Sequence, residues 1–386
     1  MKSNKNLEIE EPEELHDSFN EEVEKEQEDT GEVYMEKPFD PTKINIETKT
    51  PSLDTLIKRI DRGEIQMDTT TYFQRQDDLW DKTKQSRLIE SILIRFPLPA
   101  FFFDATDDNN WLVVDGLQRL SSIRNFCVTK DLKLTNLEFL TQLNGKRWED
   151  LGGDLRRIIE ETQVVIYKIM PGTPTDVKFN IFKRINTGGL VLEPQEIRHA
   201  LFQGKPAQFI AELGKNKAFI EATEGKIKTH RMLDRDFANR FLAFYLFGYE
   251  NYTPDLDTFM SKAMASIYNS PQNELDKITY DYTEAMRTSK EIFQEEAFRK
   301  INKESKKLPP INKALFDALA TQIALLSQND RLNLELKGGE FKKGLYDLLN
   351  SDAYFFTSIT SSTGDKNRVY HRHNEIKKLI QHTIES

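Results

Sequence analysis

The side chains best suited to chemistry lie in one short run, Trp111-Leu112-Val113-Val114-Asp115-Gly116-Leu117-Gln118-Arg119. An apolar stretch of strand length ends in Asp-Gly and passes straight into a segment with helical spacing. Such a turn aims the first N–H groups of a helix, and the positive end of its dipole, at whatever lies above the strand end. Gly116 lets backbone approach a ligand closely. Arg119, one turn in, carries a guanidinium that can fork onto a phosphate or carboxylate. Asp115 suits three jobs: capping the helix, orienting Arg119, or holding Mg²⁺ carried by a nucleotide. Together this is the chemistry of an anion site. The same residues also suit an ordinary helix cap followed by a surface arginine, and residue type alone leaves both readings open.

Two further polar clusters sit at element ends. Tyr72-Phe73-Gln74-Arg75 closes an extended stretch, with Trp80 just beyond it. Phe182-Lys183-Arg184-Ile185-Asn186-Thr187-Gly188-Gly189 closes a helix, where Asn186 and Gly188 suit C-capping. Glu193-Pro194 then suits the start of the next helix. Either cluster is turn chemistry or part of the polar wall of a shared pocket.

Four blocks in order carry a resemblance: Phe73-Gln74-Arg75 with Trp80; Leu88-Ile89-Glu90-Ser91-Ile92-Leu93 with Phe96-Pro97-Leu98-Pro99; Val114 to Leu120; and Phe182 to Gly189 leading to Gln195-Glu196-Ile197-Arg198. From about Ser52 to Phe202 the chain resembles the N-terminal domain family of GmrSD-type modification-dependent restriction enzymes, a branch of the ParB/sulfiredoxin-like superfamily. The resemblance implies a ParB/sulfiredoxin-like α+β core with an NTP-binding pocket, and nucleotide hydrolysis coupled to antiphage defence. It places Asp115, Gly116, Gln118 and Arg119 on the family's Asp-Gly-Gln-Gln-Arg motif. Asp115, Gln118 and Arg119 are then the catalytic candidates, with Asp115 also the metal-side ligand. Gln74, Arg75, Gly116, Arg184 and Asn186 are the cofactor-binding candidates, and the cofactor is an NTP with Mg²⁺, its base unspecified. Leu117 departs from the motif by replacing its first Gln, which weakens the case for hydrolysis more than that for binding. The partners implied are a nucleotide and, beyond it, DNA, a nuclease subunit in trans or a second copy of the chain. The alternative is a non-catalytic DNA-binding or interaction module of the same fold.

Full-length members of that family often add an HNH-type nuclease domain, which needs a histidine base and metal ligands on a ββα scaffold. Tyr370-His371-Arg372-His373-Asn374 is the nearest candidate. It has no preceding hairpin of adequate length, and His371 and His373 do not share a helical face. A surface or partner-binding role is expected for this segment at the start of a terminal helix, Asn374–Ile384, and no nuclease is expected from this chain alone.

The elements that must position the site read as follows. Helices are expected at Leu53–Ile60 and Lys82–Ile94, where apolar residues recur at helical spacing. Ile65–Phe73 reads as extended. Strands are expected at Ala100–Phe103, Trp111–Val114 and Gln163–Ile169, with a helix at Leu117–Val128. Beyond about Asp176 the signals are nearly all helical. An α+β front half followed by a mostly helical back half is the result. The expected division is an acidic disordered tail over residues 1–40, a nucleotide-binding domain over 41–203 and a helical domain over 204–386.

A net charge of −9 over 386 residues conceals a strong segregation. Fourteen carboxylates face three lysines between Met1 and Glu36, and the rest is close to neutral. That tail is too polar to offset its own ordering entropy. It suits a solvated leader, or a mimic of DNA charge lying over a basic groove. Two basic stretches, Lys226 to Arg231 with Arg235, and Lys366, Arg368, Arg372, Lys377 and Lys378, suit a phosphate backbone or a solvated face. Cys127 stands alone in an apolar helix and is expected to be a buried structural thiol, which suits a reducing cytoplasm. No apolar run is long enough to span a bilayer, and no P-loop or zinc-binding pattern is present.

Overall fold

The structure is a computed structural model that describes residues 22–24, 41–67, 80–185, 192–301 and 307–386. The chain divides into two units. One comprises Lys37–Ala207 with His230–Met232, and the other Met1–Glu36, Gln208–Thr229 and Leu233–Ser386.

The first unit is organised by strict alternation in its central strands. Along β4 (Trp111–Asp115), Trp111 and Val113 face one core while Leu112 and Val114 face another. That is the period of two that a strand covered on both faces requires. The expected strand β3 (Phe101–Asp104) behaves likewise, with Phe101 and Phe103 on the first face and Phe102 on the second. These strands belong to a five-stranded mixed sheet with β1 (Ile46–Lys49), β2 (Ile65–Gln66) and β5 (Ile166–Ile169), in the order β1-β5-β3-β4-β2. The β3–β4 and β1–β5 pairs are antiparallel, and β3–β5 and β2–β4 are parallel.

Helices cover both faces. The first face packs under α1 (Leu53–Asp61), α2 (Lys82–Leu93), α3 (Leu117–Ile123) and α4 (Gly153–Glu161), through Leu56, Ile89, Leu120 and Ile159. Trp80, Trp111 and Trp148, the chain's three tryptophans, all pack in this one cluster. The second face is covered by α5 (Thr175–Ile185) and α6 (Pro194–Leu201), through Phe179, Phe182, Ile197 and Ala200. Helix α6 opens with Glu193 as its cap, Pro194 in its first turn and a reciprocal bond from Glu193 N–H to Glu196 at 2.8 Å, the start that the sequence predicts.

The second unit is helical, as expected of the back half. Its longest helices are α7 (Leu233–Phe247), α8 (Gln272–Phe293) and α9 (Lys366–Glu385). Phe219, Phe237, Phe241, Phe244, Tyr282 and Phe316 are buried at its centre, with edge-on contacts such as Phe237–Phe316 at 4.9 Å.

Two expectations for this unit are corrected. Arg372 is fully buried rather than lying on a phosphate-tracking face: its guanidinium donates to the Thr363 carbonyl at 2.6 Å and pairs with Asp317 at 3.4 Å. His373 is equally buried, stacked on Tyr249 at 5.1 Å and against Phe244 at 4.6 Å. Both lie well inside α9, which begins at Lys366 rather than Asn374. His371 remains nearer the surface and pairs with Asp352 at 3.2 Å. A charged residue every few positions reads as a wet helix face, but here paired partners and aromatic rings take those side chains into the core. Arg235, from the other basic stretch, is also buried.

Candidate functional site

The site begins with a glycine that no other residue can replace cheaply. Gly116 caps α3 in the left-handed region, at φ 100°, where a side chain is disfavoured. A Cβ here would stand 2.5 Å from Cδ1 of Phe101 on the neighbouring strand. The elbow between β4 and α3 is therefore shaped by conformation and by close approach together. Beside it the β3–β4 register shifts between Phe102 and Phe103, with Phe102 opposite Asp115. An irregularity of this kind bends the strand and re-aims the residue at its end.

Asp115, Gly116, Gln118 and Arg119 meet at this elbow, and Arg119 is built into it. Its Nη2 reaches Asp115 Oδ2 at 2.8 Å and the Ala100 carbonyl at 3.1 Å, while Nη1 donates to the Pro99 carbonyl. The guanidinium also lies over the Phe101 ring, 4.6 Å from its centre. Burial pushes it below its ordinary value, and the Asp115 carboxylate opposes that push. One arginine thus ties the end of β4, the start of β3 and the Pro97-Leu98-Pro99 turn together. The Asp115 side chain is about three times as exposed as that of Arg119, at 31% against 11%, so the outward-facing charge at the elbow is the carboxylate.

Gln118 also serves the frame. Its Oε1 accepts from the Trp80 backbone N–H at 2.9 Å, which anchors the chain where it enters α2. Gln85 continues this seam, donating to the Trp80 carbonyl at 2.6 Å and accepting from Asn125 at 3.1 Å. Leu117 packs against both sheet-face clusters at once. A position that is polar in the motif is apolar here because it bridges two cores.

Arg184 lies exposed in the last turn of α5, and among the described residues no contact joins it to Asp115. Gln74, Arg75 and Asn186 lie outside the described residues, as does most of the expected Ile65–Phe73 stretch. Among the described residues no group of three or more His, Cys, Asp or Glu could hold a metal ion. The elbow offers the single carboxylate of Asp115, which fits Mg²⁺ only as an ion brought in on a nucleotide's phosphates.

Residue type did not reveal the work of Glu90. It is buried in α2 and accepts from the backbone N–H groups of Glu138, Phe139 and Leu140 at 3.0, 2.7 and 2.7 Å. Burial pushes its carboxyl up, but the three amides outweigh that and hold it below the ordinary value. Its place inside the Leu88–Leu93 block was the available signal: a lone acid among apolar neighbours on a buried helix face. Cys127 follows expectation. It is buried, and burial pushes its thiol up to about 12.

Residues 53–203 match the family described as GmrSD restriction endonuclease, N-terminal domain, in agreement with the four blocks between Ser52 and Phe202. No curated protein and no solved structure matches the chain. Among the described residues, no helix is long and apolar enough to cross a membrane.

Proposed function

We propose, on the premise that residues 53–203 are a member of the GmrSD restriction endonuclease N-terminal domain family, that this unit binds a nucleoside triphosphate at the β4–α3 elbow and works in a restriction-type defence system against phage. The observation that carries the reading is the left-handed Gly116 elbow beside the outward-facing Asp115. At the elbow the positive end of the α3 dipole lies beside Asp115, a setting that suits the phosphates of a nucleotide carrying Mg²⁺. Asp115 takes the metal side of a nucleotide, whose Mg²⁺ would supply charge neutralisation at the phosphates. Arg119 acts as a positioning residue that holds Asp115 and the strand ends in place. Gln118 is the candidate for orienting water, with its carbonyl oxygen already engaged by Trp80.

A thermal-shift titration of wild type and Asp115→Asn with ATP, GTP, CTP and UTP plus Mg²⁺ tests this. A ligand at a hundred times its Kd stabilises by about 2.7 kcal/mol. The expected result is stabilisation of the wild type by one base, reduced in the variant, followed by phosphate release in the same order. If no nucleotide shifts the wild type, the proposal falls.

A second reading is favoured by one observation: the family motif's arginine already has internal acceptors at Pro99, Ala100 and Asp115. Such an elbow suits a non-catalytic module that docks DNA or a nuclease subunit. A steep fall of DNA affinity with salt, with no nucleotide response, is its signature.

A further inference from the structure

Three residues of the acidic leader are seated on the helical unit. Glu22-Val23-Glu24 pairs as a parallel bridge with Ile311, which is bridged on its other side to Arg299. Ile311 N–H donates to the Glu22 carbonyl and Glu24 N–H donates to the Ile311 carbonyl, each at 2.9 Å. Val23 is buried between two outward glutamates. Glu22 meets Lys226 Nζ at 2.7 Å, and Glu24 pairs with Lys300 and accepts from Asn312 Nδ2 at 2.9 Å. The expectation of disorder over residues 1–40 otherwise lies outside the described residues.

This seat is made for an extended anionic chain. Alternate carboxylates on an extended chain stand ~7 Å apart, comparable with the through-space separation of successive phosphates along one nucleic-acid strand. Lys226 belongs to the basic stretch singled out in the sequence. Lys228, two residues on, is exposed, and so is Lys307, four residues before Ile311. Glu224, two residues before Lys226 in the chain, is paired with Lys290 at 3.2 Å. The hold on the strap is small, since it amounts to one apolar side chain, two backbone hydrogen bonds, one side-chain hydrogen bond from Asn312 and ion pairs that are partly exposed. Contacts of that kind open far more readily than a core.

We propose that this face of the helical unit docks the phosphate backbone of a nucleic acid, and that the Glu22-Val23-Glu24 strap covers it until a polyanion displaces it. The strap is then an intramolecular competitor. The proposal stands apart from the nucleotide reading of the α+β unit and does not need it.

Fluorescence anisotropy of a short labelled DNA duplex, titrated with full-length protein at low and moderate salt, tests it. Glu22→Gln/Glu24→Gln strips the competing charge, and Val23→Asn removes the apolar anchor by an independent route. Both should bind the duplex on the order of tenfold more tightly than wild type. Glu13→Gln/Glu14→Gln, which makes the same charge change elsewhere in the leader, should give no comparable gain. Adding Lys226→Ala/Lys300→Ala to the first variant should erase its gain. The proposal is overturned if both released variants bind like wild type, or if the control gains equally. It is also overturned if the released seat takes a synthetic peptide spanning the strap and ignores the duplex, which would make it a peptide dock.

Discussion

Single residues at the elbow carry more than their types announce. Gly116 combines a positive φ with a Cβ position already filled by the Phe101 ring. Gly116→Ala should therefore lose about 2–4 kcal/mol, joining backbone strain to overpacking, and the midpoint of urea unfolding reads it directly. A loss below half a kcal/mol would mean that Phe101 moves aside freely. The Asp115-Gly116 turn and its arginine were legible in the sequence because Asp, Gly and a following helix have few other uses together. The internal engagement of Arg119 was not legible. Its acceptors are backbone carbonyls at Pro99 and Ala100, and a carbonyl carries no residue-specific signal.

Among the elements, α2 shows how a helix secures a loop that it does not adjoin in sequence. The Glu90 carboxylate gathers three amides of residues 138–140. Glu90→Gln should cost about 1–3 kcal/mol at neutral pH, since a charged acceptor is replaced by a neutral one. The sign of the pH dependence follows from a folded value lying below the ordinary 4.5. The contribution is complete above about 4.5 and fades as pH falls through the lowered folded value. Wild type and variant should differ constantly from pH 5 to 8 in urea titrations and converge in stronger acid. A difference that grows on acidification would contradict the assignment.

The elements with plain periodicity, α2 and the central strands, were legible in the sequence, and those without it were not. Strand β1 has a mostly exposed pattern at the sheet edge, so no alternation marks it. Helix α4 opens on Gly152-Gly153, a pair that reads as loop. The burial of Arg372 and His373 depends on Asp317 and Tyr249, far away in the chain.

For the molecule as a whole, acid and base are separated in ways that net charge hides. Inside the helical unit, burial and the neighbouring Arg372 hold His373 well below its ordinary 6.5. The folded protein keeps this imidazole neutral while the unfolded chain can protonate it. Its contribution is therefore complete above about 6.5 and is lost as pH falls below that value. Stability measured from pH 7.5 to 5 should decline more steeply in wild type than in His373→Phe, and equal slopes would refute the linkage.

The gathering of all three tryptophans in the first-face core of the α+β unit makes that unit optically separate. Tryptophan emission reports the environment of Trp80, Trp111 and Trp148 alone, whereas far-ultraviolet circular dichroism is weighted towards the long helices of the other unit. If the two units unfold independently, the emission and dichroism curves in denaturant should separate into distinct midpoints. Superimposable curves would mean that the units lose structure as one cooperative body. The chain therefore carries its own intrinsic probe of one half, with no label to be attached.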